Sequence, residues 1–164
     1  MNAIDYMIQT EEDGLRLYET LSQEAINLEL KEIFTLLADS QKKHLATLES
    51  LKRNLSNADL DAMEVKGSKN VPNGFRRLLK KADILNMLKN DQDAFWHVVT
   101  TEDEIIKALE GIASAVPQMK MRRVLERIVS DEKAHLSKIE NIYEFMETPH
   151  TYLEWGEFSN LHPL

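Results

Sequence analysis

Seven positions, Leu125, Ile128, Glu132, His135, Ile139, Ile142 and Met146, step by three and four along the chain and therefore share one face of a helix. A stripe of that kind has to be buried against a partner, yet a carboxylate and an imidazole sit in it where leucines belong. A bare carboxylate in an apolar seam either takes up a proton or needs a compensating group, such as a counter-charge or a metal ion. Two readings follow: an inner salt bridge or hydrogen-bonded pair, and a Glu-x-x-His presentation of metal ligands from the inner face of a bundle helix.

The same pattern recurs upstream. Residues 3–27 carry Ile4, Ile8, Leu15 and Tyr18 at helical spacing with Glu11 on the stripe, while Glu12, Asp13 and Arg16 fall off it and read as a solvated face. Gly14 inside this helix costs about 1 kcal/mol relative to Ala, which a packed helix of that length can absorb. After a break near 26–29, a second helix over 30–54 has Leu30, Phe34, Leu37, Leu48 and Leu51 as its stripe, and Gln41 and His44 fill the two missing places. So short a connection makes the two helices an antiparallel hairpin. Residues 55–69 are polar and irregular, 71–74 (Val-Pro-Asn-Gly) read as a turn, and 77–89 read as one short helix, so 55–90 is a crossover with no chemistry of its own. A third helix begins near 91–93 with the stripe Phe95, Val99, Glu102, Ile106, Leu109 and Ala113; Pro117 ends it, and the fourth helix spans 118–147 until Thr148-Pro149 stops it. The tail, 148–164, holds Tyr152, Leu153, Trp155, Phe158 and Leu161, and is expected to pack along the bundle or onto a second copy of the chain.

Composition narrows the chemistry. The chain of 164 residues has the apolar content of one globular domain and a formal net charge of −8, with basic residues scattered apart from pairs such as Arg76-Arg77 and Lys80-Lys81. No nucleic-acid or anionic-lipid face is expected; a cation suits the balance better. There is no cysteine, so disulfides, thiol catalysis and Cys-ligated iron are excluded on these residues, which leaves carboxylates, imidazoles and phenols. The N-terminus lacks a signal-peptide pattern and no run reaches membrane-spanning length, so a cytoplasmic location is expected.

A shift of 91 residues superimposes Glu11 on Glu102, Glu19 on Glu110, Gln41 on Glu132, Lys42 on Lys133, His44 on His135 and Glu49 on Glu140, and the acid-to-motif spacing is 30 in both halves. Two copies of one helical hairpin would pack about a pseudo-two-fold axis and bring six polar side chains to one level, the outline of a dinuclear metal site. Tyr18 reads either as a hydrogen-bond partner of such a ligand or as a core residue with its hydroxyl satisfied. His97 lies off the Glu102 stripe, and His150 and His162 have no ligating spacing. The methionines, Met7, Met63, Met87, Met119, Met121 and Met146, read as packing.

The segments Gln9-Thr10-Glu11-Glu12-Asp13-Gly14-Leu15-Arg16-Leu17-Tyr18, Leu37-Ala38-Asp39-Ser40-Gln41-Lys42-Lys43-His44 and Asp131-Glu132-Lys133-Ala134-His135 resemble the ferritin-like, rubrerythrin-type di-iron carboxylate proteins. The tail, with Tyr152-Leu153-Glu154 and Glu157-Phe158-Ser159, is similar to single-domain members of that family. The resemblance implies an all-α, ferritin-like antiparallel four-helix bundle, iron as cofactor (one or two ions, zinc or manganese being alternatives), and reduction of hydrogen peroxide or dioxygen. It implies Glu11 and Glu102 as terminal ligands, Glu132 as a bridge, and His44 and His135 as ligands of one ion each. Three departures stand out. Gln41 occupies the place of the second bridging Glu, and a neutral amide leaves three carboxylates rather than four against two divalent cations. Ile105 stands where rubrerythrins have a further Glu, and the Cys-rich rubredoxin segment that supplies electrons has no counterpart here, so a separate electron-donor protein is implied. The expectation is thus an oxidoreductase, a homodimer by its tail; the alternative is a bundle with a degenerate site serving as metal carrier, sensor or interaction module.

Overall fold

The computed structural model describes residues 1–66 and 73–161, and side chains as far as residue 146. Four long helices form the bundle: α1 (Ala3–Glu24), α2 (Leu28–Asn54), α6 (Trp96–Ala115) and α7 (Met119–Leu161). Each starts or ends where local chemistry directs it. Asn2 caps α1 by accepting from the Asp5 amide at 2.9 Å, and Asn27 caps α2 by accepting from Leu30 at 3.1 Å, so the first hairpin turns in three residues. The second turns as tightly at Val116, Pro117 and Gln118.

The crossover is more ordered than its sequence suggests. It holds α3 (Asn57–Ala62), α4 (Gly74–Leu79), α5 (Ala82–Asn90) and a single 3-10 turn (Gln92–Phe95). Ser56 and Asp59 form a reciprocal capping box that makes a helix of a stretch with no apolar stripe. The one helix expected over 77–89 is two, broken at Lys80 and Lys81, because Asn73 caps an earlier start for α4. Of the turn expected at 71–74, Val71 and Pro72 lie outside the described residues. Met63 accepts a hydrogen bond from the Ala3 amide at 2.9 Å, and Val65 donates to Met1 at 3.1 Å, tying the crossover to the N-terminus.

Two apolar clusters fill the bundle, one around Leu17, Tyr18, Leu21, Phe34, Phe95 and Ile139, the other around Ile4, Met7, Leu48, Leu109, Leu125 and Ile128. Along every long helix the change from one cluster to the other falls within about one turn of the polar stripe positions. The buried polar residues Glu11, Gln41, Glu102, Glu132 and His135 therefore form a belt across the middle of the core.

Several expectations are corrected. The α1 stripe is centred on Met7 and Leu17, with Ile8 and Leu15 at its half-buried edge. Asp13 is buried, not solvated, because α4 lies over a third side of α1, a covering that the periodicity of a hairpin cannot reveal; Glu12 and Arg16 are exposed. Met87 and Met119 are exposed while Met7, Met63, Met121 and Met146 are packed. Helix α7 does not stop at Thr148-Pro149 but continues to Leu161: a proline removes one N–H and crowds one turn, and backbone hydrogen bonds on either side can carry the helix past it. The tail side chains from Tyr152 to Leu161, with His150 and His162, lie outside those described.

Candidate metal centre

Helix α1 supplies Glu11, α2 supplies Gln41 and His44, α6 supplies Glu102, and α7 supplies Glu132 and His135. The i, i+3 spacing puts both members of each α2 and α7 pair on one face, and the antiparallel hairpins bring the four faces together. Outside the belt the repeat is kept as well: Lys42 pairs with Glu19 at 3.3 Å, and at positions 91 later Lys133 pairs with Glu110. Equivalent ion pairs on the two hairpins are the mark of a pseudo-two-fold arrangement.

The polar groups meet. Among the described residues, Glu11, His44 and Glu132 each offer a ligand atom within 4.8 Å of the others. His44 Nδ1 lies 3.2 Å from Glu132 Oε1 and 3.7 Å from Glu11 Oε2; His135 Nε2 lies 3.8 Å from Glu102 Oε1. The two imidazoles face one another with centroids 5.3 Å apart. Glu11, Glu102 and Glu132 are 1–3 % exposed, and His44 is the most open of the six. Among the described residues, three buried side-chain atoms have no hydrogen-bond partner: His44 Nδ1, His135 Nε2 and Gln41 Oε1. Both imidazoles thus point an unsatisfied nitrogen at a carboxylate, close but misaligned for a hydrogen bond. Buried polar atoms left unpaired in this way are rare in folded proteins and call for a missing partner. Three carboxylates and two imidazoles around them fit a cation.

Electrostatics argue the same way. Burial first, and the charge of Glu102 second, push Glu11 well above the usual carboxylate range. Burial lifts Glu132 to about 9, with Glu11 raising it further and His44 opposing. Burial raises Glu102 to about 7 against the lowering effects of Tyr18 and His44. His135 is lowered to about 4 by burial and by the neighbouring His44. Without a cation the belt would hold protons; with one it can ionise.

The two halves differ. Gln41 donates through Nε2 to Glu11 Oε2, a hydrogen bond that a carboxylate at this position could not make while ionised. On the other side, the Tyr18 hydroxyl donates to Glu102 Oε1 at 2.6 Å, so Tyr18 is both a core residue and a partner of the site. Its counterpart under the 91-residue shift is Leu109, which can do neither for Glu11. Ile105 is buried in the apolar cluster and brings no further oxygen from α6. Ser40, which stripe reasoning passed over, places Oγ 3.4 Å from His135 Nδ1; its signal was its place four residues before His44 on the same face. His97 stacks on Trp96, away from the belt.

The family model described as Rubrerythrin matches residues 2–143. No curated protein and no solved structure gives a match. No helix among the described residues is long and apolar enough to cross a membrane. With an all-α bundle, a doubled hairpin and a carboxylate–histidine belt lying within the matched span, the chain belongs to the rubrerythrin family.

Proposed function

We propose that this protein is a non-haem iron protein of rubrerythrin type that reduces hydrogen peroxide or dioxygen with electrons from a separate donor protein. The observation that carries the reading is the convergence of Glu11, His44 and Glu132 around an unsatisfied imidazole nitrogen. Glu11, His44 and Glu132 would hold one ion; Glu102 and His135 would hold a second, with Glu132 reaching toward both. Iron at such ligands, with positions left open, supplies one-electron redox chemistry. The chain's own part is to gather the carboxylates and imidazoles in the core, limit access of bulk water, and keep the Tyr18 hydroxyl donating to Glu102. The reading includes a cytoplasmic homodimer joined through the tail.

The test is iron analysis of protein reconstituted anaerobically with Fe(II), followed by peroxide consumption with a chemical reductant. One to two irons per chain and turnover abolished in Glu132→Ala support the reading; no Fe(II) uptake sinks it. A second reading, a bundle that carries or senses metal without turnover, is favoured by Gln41 alone, since its amide replaces a bridging carboxylate. Metal uptake without peroxide consumption would select it.

A further inference from the structure

We propose that Asp13 is a positioning residue for the metal centre: by anchoring crossover helix α4 it seats Phe75 against Tyr18 and so aims the Tyr18 hydroxyl at Glu102. Asp13 is 5 % exposed, and its Oδ2 accepts from Asn73 Nδ2 at 2.8 Å and Arg76 Nε at 3.1 Å, with Arg76 Nη2 at 2.8 Å. Arg16 Nη1 stands 3.8 Å from Oδ1. The two-pronged pair with Arg76 is costly to break from the Arg76 side, because the Asp13 carboxylate left without the guanidinium is an uncompensated buried charge. The hydrogen bonds Asp13 accepts come from the start of α4, from its N-cap Asn73 and from Arg76 in its first turn. That helix has six residues, too few to persist without tertiary anchors.

Asn73 serves twice, capping α4 through Oδ1 on the Arg76 amide at 3.1 Å while its Nδ2 reaches Asp13. The next arginine, Arg77, pairs with Glu104 on α6, and Glu104 is the residue that the 91-residue shift places on Asp13. Consecutive arginines of α4 therefore reach equivalent acids on the two hairpins, and α4 is a staple across the halves. The Arg77 pair is exposed at both ends and weak; the Arg76 pair is buried at its Asp13 end and is the anchor.

From the anchor to the centre the path is short. Phe75 is fully buried and meets the Tyr18 ring edge-on, centroids 5.7 Å apart and planes at 77°. It reaches that place only because residue 14 is glycine: a Cβ there would lie 2.7 Å from Phe75 Cε2 and 2.7 Å from Gln41 Nε2. Phe34, with its centroid 6.4 Å away, flanks the Tyr18 ring as well. Held so, the hydroxyl has one direction, toward Glu102.

The proposal rests on the metal reading for one of its two measurements and is independent of it for the other. In metal-free protein, tetranitromethane nitration of each tyrosine is followed by peptide mass spectrometry for the parent, Asp13→Ala and Arg76→Met. Tyr18 should react at least tenfold faster in both variants, with Tyr6 unchanged as the internal control. The second measurement is a Co(II) titration read by its visible ligand-field bands. Arg76→Met should weaken cobalt binding at least fivefold and alter the bands, Arg76→Lys should recover part of the loss, and Tyr18→Phe combined with Arg76→Met should be no weaker than Tyr18→Phe alone. Arg76 is half-exposed on the outer side of α4, so its variant keeps the test alive if Asp13→Ala does not fold. Unchanged Tyr18 nitration in Arg76→Met overturns the proposal, as do cobalt effects of Arg76→Met and Tyr18→Phe that multiply. If the parent takes up no cobalt, the metal reading fails and nitration alone decides the role of Asp13.

Discussion

At the scale of single residues, Gln41 distinguishes this centre from a symmetric one. Its amide donates to Glu11, so the metal-free belt gains a neutral donor where its mirror position carries Glu132. Gln41→Glu should invert that preference. Without metal the variant loses a hydrogen bond to a buried carboxylate and gains a fourth acid, which should cost about 2 kcal/mol of stability in urea titrations. After Fe(II) loading it should hold more metal per chain than the parent; an equal metal content would show that Gln41 is not what limits the second ion. Gly14 makes a separate case. By helix propensity Gly14→Ala should stabilise α1 by about 1 kcal/mol, yet the new methyl would meet Phe75 and Gln41 at 2.7 Å. The Gln41 amide can swing aside but the packed Phe75 ring cannot, so overpacking should win: the variant should be less stable by about 1–3 kcal/mol and unfold at a lower temperature. The sequence marks Gly14 only as a weak spot; the benefit lies in a helix 60 residues away and is legible only in three dimensions.

At the scale of elements, legibility followed periodicity. The four bundle helices could be read because each has two or more apolar turns on either side of a polar position, and the belt could be read because the repeat states it twice. The crossover could not. Helices α3 and α4 are six residues each; α3 is made by its capping box and α4 by the Asn73 cap and contacts with α1 and α6, none of which leaves a stripe in the sequence. Asp13 was misread for the same cause, since its partners Asn73 and Arg76 belong to that crossover. The far end of α7 shows the opposite limit, where a sound local rule about Thr148-Pro149 yields to the propagation of a helix already formed. Every residue of the belt precedes residue 136, and the last buried position on α7 among the described side chains is Met146. A chain ending at residue 147 should therefore bind Co(II) within twofold of the full chain. If the tail joins two copies, the shortened chain should sediment as a monomer where the full chain sediments as a dimer; identical sedimentation would remove the tail from any interface.

For the molecule as a whole, the belt makes stability depend on pH in a direction opposite to that of most proteins. Paired surface carboxylates usually favour folding as pH rises, whereas Glu132 at about 9 and Glu102 at about 7 lie above their unfolded values and hold protons in the folded state that the unfolded chain releases. Their contribution is complete below the unfolded carboxylate range and is lost as pH climbs through 7 and then 9. His135, lowered to about 4, works the other way: folding favours its neutral form, and that gain is complete once pH exceeds the ordinary histidine value. Between about pH 6.5 and 9 Glu132 therefore acts without opposition from His135, with Glu102 adding to it only up to about 7, and each retained proton costs about 1.4 kcal/mol of stability per pH unit. Metal-free protein should lose thermal stability steadily across that window, and Glu132→Gln, which cannot ionise, should flatten the Glu132 part of the slope. A bound divalent cation competes with the same protons, so the loaded protein should show little slope and its affinity for metal should rise with pH over the range in which the metal-free protein weakens. Calorimetric scans at half-unit pH steps, with chelator and with Co(II), compare the two forms directly. A metal-free melting temperature that is flat or rising from pH 6.5 to 9 would mean that Glu132 is not held in the core as a protonated group, and the belt would lose its electrostatic reason to attract a cation.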